Sequence, residues 1–517
     1  MSRFKRFGHS LVSGYAVIAA QAVFTLASVP LALAYLPKAE FGLWALAAQI
    51  AGYIALVDLG MSGAVSRILI EYKDRPEDEE YGSTIATGFL VNLVQGAIVL
   101  VAAYALTWVL VPLLDVPAPL AAEFRVLILW QCIGIAISFA LRIVLHILTA
   151  HQRQDVVNYS HMAYVLVNLA VLWICFRAGQ GVVAMVWAQV AAQLTASLIM
   201  AVYCMRLRLL PDLRAWSRPT AARFYELFAF GRDMFLYSIG AQLVQASQTI
   251  LITRTLGLEA GAIWAIGTRS FAFVNQLATR VFDYSLAPLA EMIVRNEKEL
   301  LAKRFRMIVV ASSSAAVAGG MILVACNSSF VGLWTSGKVS WPSLRDFLFS
   351  IWLVLCVLVR CHTGLIGLTR DFRFLRYIYL LEGIFFVVAA IFALKWAGIE
   401  AMIATSILAT LSFTLGYSVH RASRYFEVSP REIAIQWMLP TLRLVGVLLP
   451  ATCAIYLLTL PLSIGWRFVV SGLSVTAVAA WLLWQVGLGS ATRLELQQRV
   501  FSRWSNARKP SFENPPL

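Results

Sequence analysis

The chain has 517 residues, of which 60% are hydrophobic and 13% charged. A soluble domain holds roughly 45–50% apolar and about 25% charged residues. Its net charge of +15, from 42 Lys+Arg against 27 Asp+Glu, would point to nucleic acid in a soluble protein; here the apolar content excludes a soluble enzyme, a disordered chain and a disulfide-stapled secreted domain, and the basic excess is expected in cytoplasmic loops with no nucleic-acid partner.

At about 20 apolar residues per crossing, this composition suffices for about fourteen bilayer-spanning helices. Arg3, Lys5 and Arg6 precede an apolar run from Leu11 to Leu36, longer than the roughly 7–15-residue core of a signal peptide and so read as the first span. Polar breaks then delimit fourteen stretches: 10–36, 41–64, 85–112, 124–149, 156–176, 181–205, 232–256, 261–290, 307–333, 346–368, 377–395, 399–420, 437–460 and 466–488. With the N-terminus inside, alternate loops and both ends hold 28 of the basic residues and the opposite loops only 7. That asymmetry predicts both termini in the cytoplasm.

The largest loop, 206–231, is basic and contains Pro211 and Pro219. It divides the chain into a six-helix N-terminal part (1–205), a connector (206–231), a second six-helix part (232–420), two further helices (421–489) and a basic tail (490–517) expected at anionic lipid. LPKAEFGLWAL at 36–46 aligns with LGLEAGAIWAI at 256–266, an offset of 220, with three of eleven positions identical. Both copies join the first two spans of a half, which suggests parallel repeats. The same offset sets Ala278 opposite Asp58.

Little of the usual site chemistry is present. Gly332 to Lys338 reads GxxxxGK, but Val339 follows where a phosphate loop needs Ser or Thr. The seven cysteines (Cys132, Cys175, Cys204, Cys326, Cys356, Cys361 and Cys453) form no CxxC pair and join no histidine cluster. No catalytic residue, metal site or cofactor is expected.

Seven arginines fall within or at the ends of spans. Arg232 and Arg443 lie near cytoplasmic ends and can reach the headgroups, and Arg254 can do so on the outer side. Arg142, Arg269, Arg280 and Arg360 lie deeper, where each costs roughly 2.5–3.5 kcal/mol unless it meets water or a partner. At 100° per residue, Arg269, Gln276, Arg280 and Asp283 form one polar stripe on span eight, with Arg280 and Asp283 spaced to pair. Ser238, Gln242, Gln245, Thr249 and Thr253 share an arc of about 80° on span seven. Span four offers Gln131, Ser138, Arg142, His146 and Thr149, span one Gly14, Gln21, Thr25 and Ser28, and span ten Arg360 with His362 nearby. The clear acids within spans are Asp58, Asp283 and Glu382, with Asp58 expected to pair with Arg67 or a loop. They are too few to neutralise the arginines. A net-basic interior suits an anion, phosphate above all, which guanidinium binds bidentately. The expected substrate-binding set is therefore Arg142, Arg254, Arg269, Gln276, Arg280, Arg360, Gln242 and Gln21, and the candidate coupling groups are Asp283, His146 and Asp58; His161 is a further titratable histidine.

Phe41-Gly-Leu-Trp44, Asp58-Leu-Gly60 and Arg67, within a 6+6+2 helix arrangement, resemble the polysaccharide transporters of the multidrug/oligosaccharidyl-lipid/polysaccharide exporter superfamily, of the O-antigen flippase type. The resemblance implies an all-α membrane protein with two six-helix lobes around a central cavity plus two C-terminal helices. It also implies a bacterial inner-membrane flippase that moves an undecaprenyl-diphosphate-linked oligosaccharide to the periplasmic leaflet, in company with other polysaccharide-assembly proteins. The alternatives are an ion-coupled drug exporter, which would need an acid-rich cavity, and a glycan polymerase or ligase, which would need larger outer loops than the dozen or so residues available.

Overall fold

A computed structural model describes residues 3–72, 79–211, 216–369 and 374–487. The basic tail over 490–517 and the loop residues Lys73, Arg75, Arg214, Arg370 and Arg373 lie outside the described residues. The described chain is helical, without a strand. In order it runs α1 (Arg3–Tyr35), α2 (Lys38–Ile54), α3 (Met61–Tyr72), α4 (Glu79–Leu113), α5 (Ala121–Leu141), α6 (Ile143–Ala150), α7 (Gln154–Arg177), α8 (Val183–Arg206), α9 (Ala221–Gln245) and α10 (Ser247–Leu256). It continues with α11 (Leu258–Gly267), α12 (Arg269–Asp283), α13 (Leu286–Val294), α14 (Lys298–Trp334), α15 (Ser343–Leu368), α16 (Leu375–Thr410), α17 (Gly416–Phe426), α18 (Pro430–Glu432), α19 (Leu439–Thr459) and α20 (Ile464–Leu482).

All fourteen apolar stretches fall on helix. Among the described residues, 11 segments are long and apolar enough to cross a membrane. One of these, Leu375–Phe426, is broken at Ala397 and at Gly398, whose φ of +73° favours glycine. The segments 221–256 and 258–294 are helical over comparable length but broken and polar, at Ala246, Thr268 and Tyr284. Helices also outrun their apolar stretches: α4 begins at Glu79 and α14 at Lys298, adding polar turns at one end. Side chains left exposed along the spans are largely apolar, Val101, Trp396 and Leu458 among them, as a lipid-facing surface requires.

Helix starts repeat along the chain. Arg3 and Ala221, Lys38 and Leu258, Met61 and Leu286, Glu79 and Lys298, and Gln154 and Leu375 each open corresponding helices about 220 residues apart. The short sequence echo is thus the visible part of a repeat carried by the helix pattern.

The chain packs as two compact units. Of the described residues, the first comprises those of 3–269, 334–340 and 374–409. Small residues bring its backbones together: a Cβ on Gly42 would sit 2.0 Å from Leu258 O, and one on Gly240 would sit 2.3 Å from the Tyr379 carbonyl. Tyr81, Leu69, Leu148 and Leu227 fill one core of this unit. Within it Lys338, the lysine of the GxxxxGK run, donates to Leu33 O, so that run closes a turn. Of the described residues, the second unit comprises 270–333, 341–369 and 410–487. Phe282, Phe305 and Trp437 centre one of its cores, and Val317, Leu444 and Val475 another.

Candidate functional site

The Asp58-Leu-Gly60 motif is a helix break. After α2 the chain tightens into a 3-10 turn, Ala55–Asp58, then passes through Leu59 (φ 51°) and Gly60 (φ 73°) before α3. The Leu59 carbonyl meets the bare face of Gly231, where a Cβ would approach to 2.4 Å. The turn holds Asp58 in the bundle rather than at a loop, and its partner is Arg142, not Arg67 (Nη1 to Oδ1, 3.3 Å). Ser62 Oγ donates to the same carboxylate and accepts from Arg142 Nη1 at 3.1 Å, closing a triangle, while Gln95 Nε2 donates to Asp58 O at 3.0 Å. Arg142 stands at the joint between α5 and α6, with its guanidinium over Phe139.

Beside it lies a pocket of about 120 Å³ lined by Arg142, Gln131, Ser138, Gln189 and Gln193. Gln131 is buried, and its Oε1 has no hydrogen-bond partner among the described residues. His146 is packed inside, with Nδ1 2.8 Å from Ser66 Oγ. Its Nε2 is buried with no hydrogen-bond partner among the described residues.

The second unit carries the corresponding pair. Asp283 ends α12 and a two-residue turn leads into α13, as Asp58 precedes α3. Arg360 of α15 donates to Asp283 Oδ1 from Nε at 3.0 Å and Nη2 at 2.6 Å. Asp283 therefore pairs with Arg360, not with Arg280 as the i,i+3 spacing suggested. The cause is close packing of the two helices: a Cβ on Gly364 would lie 2.2 Å from the buried Phe282 ring. The counterpart of Asp58 is thus Asp283 rather than Ala278. In each unit an aspartate at a helix break binds an arginine further along the chain, 84 residues on for Asp58 and 77 for Asp283.

A third arginine is also neutralised. Arg254 pairs with Asp115, a loop residue at φ 48°, which makes a surface ion pair of this expected anion ligand. Gln242 Nε2 donates to Gly52 O at 3.1 Å, and the Gln242 backbone carbonyl accepts from Tyr53 Oη at 3.0 Å. Three of the arginines thus meet an acid from another segment: Asp58 and Asp283 are among the acids within spans, and Asp115 lies in a loop. Arg269 and Arg280, both half-buried on α12, make no ion pair or hydrogen bond among the described residues. Gln276 between them is exposed, and Gln21 is half-buried on α1 without a hydrogen bond among those residues.

Asp115, Gln189 and Gln193 escaped sequence reasoning. Gln189 and Gln193 did leave a signal, being polar residues four apart within an apolar helix and so on one face. Asp115 left none, since nothing local ties a loop acid to a helix 139 residues later. Among the described residues no cluster of His, Cys, Asp or Glu could hold a metal ion.

Comparison with known proteins places this geometry. The fold matches the lipid II flippase MurJ in an inward closed conformation, with a TM-score of 0.64 at 10% identity over 92% of this chain and 98% of that one. It matches an inward-facing multidrug resistance MATE family transporter of the MOP superfamily with a TM-score of 0.63 at 15% identity, covering 79% and 96%. A MOP superfamily transporter from Pyrococcus furiosus, described as having a binding pocket of reversed polarity, matches with a TM-score of 0.56 at 14% identity, covering 81% and 96%. No curated protein matches by sequence. The model of the family described as polysaccharide biosynthesis protein matches residues 11–292, which include every candidate residue except Arg360. With more than half of its length matched and the fold of MOP-superfamily transporters around it, the chain belongs to the polysaccharide biosynthesis protein family.

Proposed function

We propose that this protein is a flippase that moves a lipid-linked oligosaccharide from the cytoplasmic to the periplasmic leaflet of a bacterial inner membrane, on an undecaprenyl-diphosphate type carrier. The observation that carries the anionic part of this reading is the state of the arginines. Three of the five candidates are neutralised by aspartates. Arg269 and Arg280, eleven residues apart on α12, make no ion pair or hydrogen bond among the described residues. Guanidinium offers a diphosphate paired donors in a plane, and two such groups near membrane depth are retained at a cost that a structural role does not offset. Gln276, on the same helix, supplies a neutral donor and acceptor for sugar hydroxyls. Family membership supports a polysaccharide route, and the lipid II flippase among the similar folds supports a lipid-linked cargo.

The six-plus-six-plus-two division, cytoplasmic termini and contact of the basic tail with anionic lipid belong to the same proposal. Asp58 and Asp283 are the coupling candidates, since protonating either carboxylate would release its arginine. A drug exporter is disfavoured because the unpaired charges on α12 are cationic.

The test is complementation of a strain lacking its glycan flippase, scored as surface polysaccharide. Wild type is expected to restore it, and Arg269→Ala to fail at normal abundance in the membrane. Full restoration by Arg269→Ala would remove that residue from the substrate site.

A further inference from the structure

The first unit holds a cavity of about 810 Å³ that the transport reading leaves unused, bounded by the 3-10 turn after α2, by α4 and by the start of α9. Leu90, Val94 and Ile98 of α4 form one wall and Phe224, Phe228 and Phe235 of α9 another. The wall on α4 runs from Thr87 to Ile98, eleven residues or about 16 Å. One leaflet of a bilayer, half of a hydrocarbon core of about 30 Å, has nearly the same depth. Of the polar groups on the walls, Tyr53 donates to Gln242 O, Gln95 Nε2 donates to Asp58 O and Thr87 Oγ1 accepts from Thr220 N, while Gln95 Oε1 is buried with no hydrogen-bond partner among the described residues. The groove therefore presents hydrocarbon and aromatic surface to whatever enters, and several of its side chains (Leu90, Val94, Ile98 and Phe224) are exposed.

What stands above the groove selects the occupant. The connector lies along one stripe of α4: Ser217 Oγ donates to Glu79 O, Ser83 Oγ to Arg218 O, and Thr220 N to Thr87 Oγ1. Glu79, Ser83 and Thr87 are four residues apart, so these levels are separated by about 6 Å each. Arg218 is exposed at the middle level and Glu79 at the top level, and neither makes an ion pair among the described residues. Glu80 and Glu226 are taken by Arg223. The order along α4 is thus free carboxylate, free guanidinium, apolar groove. Exposed Trp216 and Tyr225 flank this level, as aromatic residues do at a membrane interface.

We propose that this groove is a binding site for an ethanolamine phospholipid, its ammonium at Glu79, its phosphate at Arg218 and one acyl chain along α4 and α9. The order of charges matches a zwitterionic head followed by its chain, and the primary ammonium brings N–H donors that a quaternary choline lacks. A polyprenyl chain is much longer than one leaflet and carries no ammonium, so the site is distinct from the cargo path and does not depend on the glycan.

The full-length protein is reconstituted in vesicles containing phosphatidylethanolamine with a photoreactive acyl chain, and cross-linked peptides are mapped. Label is expected on 87–98 and 219–235. Unlabelled phosphatidylethanolamine is expected to compete about fivefold better than phosphatidylcholine or phosphatidylglycerol, and Glu79→Gln and Arg218→Gln are each expected to erase that preference. Val94→Trp, which fills the groove, is expected to remove the label while the unfolding temperature stays within a few degrees of wild type. Equal competition by the three lipids would reduce the groove to ordinary lipid contact and overturn the proposal. Stronger competition by phosphatidylglycerol, or by a polyprenyl diphosphate, would overturn it in favour of an anionic occupant.

Discussion

Neutralising Asp283 and Arg360 singly and together measures whether the aspartate–arginine pairs hold the helices or merely coexist. Arg360 places two donors on one carboxylate oxygen, at 3.0 and 2.6 Å. A hydrogen bond to a charged group contributes about 1.5–3 kcal/mol when well sheltered. Here the side chains are 42% and 27% exposed, so solvent screening cuts the sum well below two full bonds. We expect a coupling energy of about 2 kcal/mol between Asp283→Asn and Arg360→Gln, within the range for contacting residues. The Asp58–Arg142 pair has one longer contact, at 3.3 Å, and shares Ser62, so its cycle is expected to give about 1 kcal/mol. The assay is a double-mutant cycle by reversible unfolding in mixed micelles. Each double variant is expected to be nearer wild-type stability than the sum of its singles. Coupling below about 0.5 kcal/mol in both cycles would mean that the pairs do not hold the helices, because contacts at these distances between opposite charges should register.

Arg280→Lys keeps the charge but loses the planar donor pair, and is expected to recover less than about a tenth of glycan export in a surface-polysaccharide assay. Gly240→Val places a Cβ 2.3 Å from the Tyr379 carbonyl and is expected to lower stability by more than about 2 kcal/mol, read as lost thermal resistance in detergent. Asp346 accepts from Asn327 Nδ2 at 2.7 Å and Trp341 Nε1 at 2.8 Å. Asp346→Ala leaves two buried donors unmet and is expected to cost about 2–5 kcal/mol by the same assay, while Asp346→Asn recovers part of that.

The fold was legible because its signal is local. Twenty consecutive apolar residues announce a span whatever they pack against, and the breaks at Gly257 and Gly398 coincide with polar or glycine interruptions in the sequence. Broken spans were also foreshadowed: the polar stripe on span eight is α12, a separate helix between Thr268 and Tyr284. The pairings were not legible. Asp58 and Arg142 are 84 residues apart, and Asp283 and Arg360 are 77 apart. Counting acids within single spans therefore misjudged which arginines are free. The nearest charge in sequence to Arg280 is Asp283, yet a glycine on α15 and the Phe282 ring decide that Arg360 arrives instead. The repeat hid for a related reason. Its halves keep helix starts about 220 residues apart but drift by several residues inside segments, so a fixed offset from Asp58 missed Asp283.

Direct translocation is the most telling measurement. Purified protein in proteoliposomes would be given a polyprenyl-diphosphate oligosaccharide labelled in one leaflet, and its appearance in the other followed by accessibility to a sugar-modifying enzyme. Wild type is expected to transfer the label, and Arg269→Ala and Arg280→Ala to lose most of that transfer at unchanged reconstitution. Transfer unaffected by both substitutions would remove these arginines from the substrate site, and no transfer above protein-free vesicles would mean that the protein is not a flippase for this carrier.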